Sequence, residues 1–207
     1  MKNFFYFWLS VFGFQLFLGC AEDPLLFRAG ADYFPLKVGN TWDYLQVQTG
    51  DTINLRVTDT TTILARECWL LERNGIPEYW WKDNARIDRF YYETIFVNGV
   101  EDTIVTAWVP WIHIPLVLGE SWDYQITQQK IILCDTIRTQ LYVASWVEEL
   151  KNGNYMVEIK VVKNRTSNTF GLYCDTTLYH ESYKPNIGLT KREVNQLQEY
   201  LVNYSLH

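Results

Sequence analysis

Few side chains in this chain combine the types and spacing that chemistry requires. The histidines His113, His180 and His207 are far apart, and none stands in an H-x-x-H or H-E-x-x-H pattern that would bind a metal ion. There is no G-x-S-x-G, P-loop or G-x-G-x-x-G motif either. A hydrolase would need two carboxylates across a cleft, and the carboxylates here are scattered. We therefore expect no catalytic site, no metal site and no cofactor.

Aromatic clusters are the strongest candidates for ligand contact. Trp80 and Trp81 are adjacent, so in a strand they must point to opposite faces. If one lies in the core, the other is exposed or lies in a concavity, where it could stack on a sugar ring or line an apolar groove. The candidate contacts are Trp80, Trp81, Trp108 and Trp111. Packing in a second layer, or a contact between domains, is the alternative.

A second chemical pattern is Asp-Thr, which occurs five times. It resembles an O-glycosylation acceptor pattern that one group of Gram-negative bacteria uses on exported proteins. The alternative is that Asp closes a turn and a β-branched residue opens a strand. The candidate acceptors are Thr52, Thr60, Thr103, Thr136 and Thr176.

The N-terminus has the features of an export signal. Lys2 precedes an apolar run over 4–18, which is shorter than the roughly 20 residues of a membrane span. The run ends at Gly19-Cys20, which resembles the lipobox of bacterial lipoproteins. That resemblance implies a signal peptide over 1–19, acylation of Cys20, a tether over 20–32 and an outer-membrane location facing the periplasm or the cell surface.

Composition limits the partners that we expect. The chain has 207 residues with 18 Lys and Arg against 24 Asp and Glu, a net charge of −6. An acidic chain without a basic stripe is a poor candidate for binding nucleic acid. The expected partners are the membrane, through the acyl anchor, and a lipid, a glycan or another envelope protein.

Three cysteines remain once Cys20 is assigned to lipid. Cys134 and Cys174 each directly precede Asp-Thr, so they would hold equivalent positions at neighbouring strand starts and could form a disulfide in an oxidising envelope. Three free thiols, including Cys68, are the alternative. No C-x-x-C pair supports a redox or zinc site.

An internal repeat organises the rest of the chain. The pattern P-L-x-x-G-x-x-W-D-Y occurs over 35–44 and again over 115–124. In each copy the glycine supplies a turn and the Trp enters a strand as a core side chain. The repeat divides a β domain over 33–207 into halves of about 33–112 and 113–207.

Alternating apolar residues and turn dipeptides predict strands throughout these halves. Tyr155, Val157, Ile159 and Val161 alternate with polar residues, and Asn-Gly pairs at 74–75, 98–99 and 152–153 predict hairpins. The predicted strands include 135–143 and 141–149, and only 192–204 is ambiguous with a helix. The predicted fold is all-β: an antiparallel, hairpin-linked sheet or half-barrel of about ten to twelve strands.

The motifs together resemble a group of uncharacterised bacterial envelope lipoproteins. Their mature chains open with Y-F-P-L-x-x-G-N-x-W-x-Y, here 33–44, and carry a second P-L-x-x-G-x-x-W midway. A late G-x-G-L-x-K-x-E segment is partly kept at 186–193, where Asn186 replaces the first glycine. The resemblance implies a twisted antiparallel sheet related to periplasmic lipid-carrier half-barrels, with no catalytic residues.

Overall fold

Alternation of apolar and polar residues along the chain produces twelve antiparallel strands. The computed structural model describes residues 31–97, 100–169 and 171–207, so the predicted signal peptide, Cys20 and the Asn98-Gly99 turn lie outside the described residues. The strands are β1 (Thr41–Gln46), β2 (Thr52–Ile63), β3 (Arg66–Arg73), β4 (Ile76–Lys82), β5 (Arg86–Val97), β6 (Val100–His113), β7 (Ser121–Ile132), β8 (Asp135–Lys151), β9 (Asn154–Ser167), β10 (Gly171–Lys184), β11 (Gly188–Val194) and β12 (Leu197–Ser205). Within these ranges, no helix is long and apolar enough to cross a membrane.

The strands form one sheet in the order β6-β5-β4-β3-β2-β1-β12-β11-β10-β9-β8-β7. Each strand pairs with its neighbour in sequence, except that β6 and β7 are the two edges and β1 pairs with β12. The sheet is therefore nearly closed and barrel-like. This confirms the predicted all-β fold with ten to twelve hairpin-linked strands.

Each copy of the repeat leads into the first strand of a six-strand series. Gly39 and Gly119 have φ angles of 98° and 81°, which glycine adopts without strain. Their amides donate to the carbonyls of Val57 and Val147, at 2.9 and 3.0 Å. The same residue types thus produce the same turn in both copies.

Two details of the predicted strands are corrected. Separate strands predicted over 135–143 and 141–149 are one strand, β8, of 17 residues. The ambiguous stretch 192–204 is the end of β11, a two-residue turn and most of β12. In both places the local sequence allows more than one element, and pairing with neighbouring strands decides between them.

The core lies inside the curved sheet and is capped at one end by the segment before β1. Tyr33, Phe34 and Leu36 of this segment are buried. The Phe34 ring packs on Trp42 and Trp80, with centroids 5.5 and 5.1 Å apart. The chain therefore enters the sheet at the end where β1 begins, and the turn between β7 and β8 lies at the opposite end.

Candidate functional site

The wall of the sheet opens between β4 and β5. These strands pair only at Trp80 with Arg89, Trp81 with Asp88 and Lys82 with Ile87. Beyond Trp80, β4 continues to pair with β3 as far as Ile76 but leaves β5. A cleft forms where the two strands part.

Pro77 supplies a physical reason for this parting. Arg73 and Ile76 flank the two-residue turn at Asn74-Gly75, so they form a hydrogen-bonded pair of the hairpin. In the next pair, Glu72 with Pro77, the backbone groups point away from each other. The Pro77 nitrogen therefore faces β5 and has no hydrogen to donate, so the ladder that stops at Trp80 cannot resume at Pro77.

The cleft has a volume of about 250 Å³, and half of its twelve lining residues are aromatic. Tyr79, Phe90 and Tyr92 form the outer rim, and their neighbouring ring centroids are 6.1 Å apart. Trp111 and Tyr179 lie deeper, with their ring centroids 5.2 Å apart and nearly perpendicular. The aromatic rings line a path from the surface to the interior.

A buried ion pair borders the same cleft. The Glu78 carboxylate lies 3.2 Å from Arg89 and 3.3 Å from Arg73. Burial alone would raise the pKa of Glu78, but the Arg89 and Arg73 guanidinium groups outweigh burial and hold the pKa at about 2. The Arg89 guanidinium also lies over the Trp80 and Trp111 rings, at 5.5 and 5.2 Å. Glu78 is therefore an ionised hydrogen-bond acceptor at neutral pH.

Tyr91 provides a neutral hydroxyl in the lining. Burial, and then the carboxylate of Glu93, raises the pKa of Tyr91 well above its ordinary value. Its hydroxyl therefore stays protonated over the physiological range and can both donate and accept hydrogen bonds. The cleft combines aromatic faces, one carboxylate and a tyrosine hydroxyl.

Behind the cleft, the interior is occupied by a charged network. Glu181 accepts hydrogen bonds from Trp111 Nε1, at 2.9 Å, and from the Tyr183 hydroxyl, and it lies 3.1 Å from Arg192. Arg73 forms a second ion pair, with Glu199 at 2.7 Å. Paired charges and rings thus fill space that a lipid carrier would keep as an open apolar cavity.

The four predicted tryptophans do not meet at one site. Trp111 lines the cleft, and Trp80 lies beneath Arg89 in the core. Trp81 and Trp108 lie on the other face of the sheet, with their ring centroids 4.8 and 5.8 Å from the Arg66 guanidinium. Opposite faces for Trp80 and Trp81 follow from strand alternation.

The predicted disulfide between Cys134 and Cys174 is wrong, because both thiols are free and exposed. Cys174 is level with Gln140 of β8, since both are paired with Asn164 of β9. Cys134 lies six residues before Gln140, about 20 Å further along the strand direction. Similar positions relative to Asp-Thr did not bring the two sulfurs together, because Cys134 lies in the turn before β8, whereas Cys174 is the fourth residue of β10.

The five Asp-Thr threonines all lie in strands, where their exposure differs. Thr52, Thr60 and Thr176 are exposed, whereas Thr103 and Thr136 are half-buried. Asp135, which precedes Thr136, accepts hydrogen bonds from the Ser167 hydroxyl at 2.5 Å and from the Asn168 amide at 3.0 Å. At this position the aspartate joins β8 to the turn that follows β9.

Sequence reasoning missed Glu78, Arg89, Tyr91 and Tyr179 as lining residues. Their types are ordinary for a strand, and only the shape of the sheet brings β4, β5 and β10 together around the cleft. Pro77, inside a strand, was the signal that could have indicated a break in the ladder. In comparisons with protein families, characterised proteins and solved structures, nothing matches this chain.

Proposed function

We propose that this protein is a lipid-anchored outer-membrane protein that binds a saccharide ring in the cleft between β4 and β5. Cys20 would carry the acyl anchor, as the lipobox-like sequence before it implies. The observation that carries the binding role is the parting of β4 and β5 at Trp80 and Arg89, which opens an aromatic-lined cleft.

The size and lining of the cleft favour a sugar over a lipid. Small-molecule sites usually have volumes of roughly 300–1,000 Å³, so about 250 Å³ suits a small ligand. The apolar face of a sugar ring packs on aromatic side chains, and its hydroxyls need acceptors and donors such as Glu78 and Tyr91. An acyl chain would gain nothing from the buried Glu78 and Arg89 pair.

The lining also favours binding over hydrolysis. Glu78 is the one carboxylate among the lining residues, whereas glycoside hydrolysis uses two carboxylates on either side of the bond. The two Arg partners of Glu78 keep it ionised, which suits an acceptor of hydrogen bonds rather than a proton donor.

A contact with an envelope protein is a second candidate function. Apolar side chains are strongly exposed near the end of the sheet remote from Tyr33, which is unusual on a surface without a partner. These side chains are Phe96, Ile131, Leu133 and Leu172. Loss of co-purifying proteins after Leu133→Ser and Leu172→Ser would support this function.

Saccharide binding is tested on a glycan array with the full protein in detergent. Tyr92→Ala removes a rim ring that is 46% exposed and should weaken binding about fivefold to tenfold. Tyr204→Ala is the matched control, because Tyr204 is equally exposed but lies on β12. An array without bound sugars, or equal losses in both variants, would exclude the cleft as the binding site. Mass spectrometry of the membrane-extracted protein tests acylation of Cys20.

A further inference from the structure

Three side chains with metal-ligating atoms meet on the outer face of β8, β9 and β10. His180 Nδ1 lies 3.5 Å from Glu158 Oε2 and 3.8 Å from Glu148 Oε2. One donor atom from each residue lies within 4.8 Å of the other two. The cluster is on the side of the sheet facing away from the core, so it is separate from the charged network behind the cleft.

Strand pairing and a bulge build this cluster. His180 of β10 is directly opposite Glu158 of β9. The pairing of β8 with β9 shifts between Val147 and Glu149, and the extra residue is Glu148. Val147 is buried in the core, so strand alternation places Glu148 on the outer face, where its carboxylate lies near that of Glu158.

A further hydrogen bond orients Glu148. Trp146 Nε1 donates to Glu148 Oε1 at 3.3 Å, while the other oxygen, Oε2, is the one nearest to His180. A hydrogen bond to the second oxygen of a carboxylate is the usual way in which proteins orient a metal ligand.

The charges in the cluster favour a cation. The Glu148 and Glu158 carboxylates each have an oxygen within 4.8 Å of the other, so their negative charges repel each other. His180 and Lys160 are the positive or potentially positive groups that offset this repulsion. Lys160 is exposed and its long side chain can move away. A divalent ion would neutralise both carboxylates at once.

We propose that Glu148, Glu158 and His180 bind a divalent transition-metal ion such as Zn²⁺ on the outer wall of the sheet. Three protein ligands with a water in the fourth position form a common zinc coordination. Ligand atoms about 2.1 Å from a tetrahedral ion lie about 3.4 Å apart, close to the 3.5 and 3.8 Å distances from His180 Nδ1. An imidazole nitrogen selects such an ion over Mg²⁺ or Ca²⁺.

Isothermal titration calorimetry of the full protein with Zn²⁺ at pH 7 tests this site. We expect saturable binding of one ion, weaker by at least tenfold in His180→Ala and in Glu158→Gln. His113→Ala is the matched control, because His113 pairs with one carboxylate, Glu120, at 3.4 Å. This variant should keep the wild-type affinity.

A second measurement separates a metal site from a histidine that merely pairs with two carboxylates. Zn²⁺ should raise the Tm of the wild type and of His113→Ala but not that of His180→Ala, since a ligand that binds the folded state stabilises it. Mg²⁺ at the same concentration should have little effect. Failure of Zn²⁺ to bind saturably below about 1 mM, or wild-type affinity in a folded His180→Ala variant, would overturn the proposal.

Discussion

The two junctions between the halves of the sheet are equivalent in the repeat but differ in structure. At the first junction, β1 pairs with β12 along its whole length. The ladder runs from the pair Thr41 and Ser205 to the pair Gln46 and Glu199. At the second, β6 and β7 are sheet edges, and side chains bridge them. The Gln128 amide donates to the Thr106 carbonyl at 2.7 Å and accepts from the Thr106 amide at 2.9 Å. One junction is closed by a backbone ladder and the other by side chains.

The two repeat tryptophans reflect this difference. Trp42 is fully buried, with 0% exposed, and its Nε1 donates to the Ile187 carbonyl at 2.7 Å. Trp122 is 8% exposed and stacks on His113 at 4.6 Å. Its Nε1 is buried and has no acceptor among the described residues. The indole nitrogen of the motif tryptophan thus has its hydrogen bond at the closed junction between β1 and β12. It has none, among the described residues, at the open junction between β6 and β7.

A single difference within the motif explains much of the contrast. Asn40 accepts from the His207 amide at 2.8 Å and donates to the Pro35 carbonyl at 2.7 Å. Its equivalent in the second copy is Glu120, whose carboxylate cannot donate and instead pairs with His113. The amide therefore joins the end of the chain to the start of β1, and the carboxylate makes no such link.

Ion pairs across the junctions also differ in burial. Arg73 and Glu199 link β3 to β12 at 2.7 Å, with side chains only 14% and 16% exposed. Lys130 and Asp102 link β7 to β6, with both side chains 38% exposed. A buried pair depends strongly on both partners, whereas an exposed pair contributes little.

Removing either repeat tryptophan should cause a large loss of stability at its junction. Trp42→Ala should lower the free energy of unfolding by about 3–5 kcal/mol. Trp122→Ala should cost about 1 kcal/mol less, because Trp122 makes no Nε1 hydrogen bond within the described chain. Urea denaturation followed by circular dichroism measures both. Equal losses would mean that the junctions are energetically alike.

Replacing one cationic side chain at each junction should show a further difference in stability between the two junctions. Arg73→Met leaves Glu78 and Glu199 buried with fewer partners and should cost about 3–5 kcal/mol. Lys130→Met breaks a half-exposed pair and should cost at most about 1 kcal/mol. The same denaturation measurements apply, and a larger cost for Lys130→Met would contradict the comparison.

The network beside the closed junction should make stability sensitive to acid. The pKa of Glu78 is about 2 in the folded protein against an ordinary value of 4.5. Its contribution, roughly 3 kcal/mol, is therefore present above pH 4.5 and lost as the pH falls towards 2. Glu78→Gln should flatten the pH dependence of unfolding in this window. If the variant loses stability between pH 4.5 and 2 just as the wild type does, other carboxylates control this loss.

The motif difference can be tested directly at Asn40. Asn40→Ala leaves the partly buried His207 amide and Pro35 carbonyl without this partner and should cost about 1–3 kcal/mol. Glu120→Ala removes a half-exposed partner of His113 and should change stability by less than about 1 kcal/mol. Thermal unfolding of both variants gives the comparison, and a larger effect at Glu120 would refute it.

The smallest expected effect is at the open junction itself. Gln128→Ala should cost about 1 kcal/mol, because it frees the Thr106 amide and carbonyl to water. Hydrogen exchange measured by mass spectrometry should speed up for peptides that contain Thr106 and stay unchanged for peptides of β1. Faster exchange in β1 would indicate that the two junctions open together.

Turns illustrate how far sequence could predict this fold. Asn74-Gly75 and Asn152-Gly153 were predicted as hairpins, and both residues of each pair have positive φ. Leu64-Ala65 and Leu133-Cys134 adopt the same conformation, at φ 47° to 69°. Their residue types do not favour it. The register of the flanking strands imposes these turns, so no local signal could have found them.

The sequence by itself determined the local structure. Alternation produced the strands, the Asn-Gly pairs at 74–75 and 152–153 produced two hairpins, and the repeat produced the entry into each half. Tertiary structure alone decided which junction closed, where the cleft opened and that Glu148, Glu158 and His180 meet. The physical reason is distance along the chain. Asn40 accepts its hydrogen bond from His207, and the charge of Glu78 is stabilised by Arg89 and Arg192. These contacts depend on packing between segments that no local sequence pattern relates.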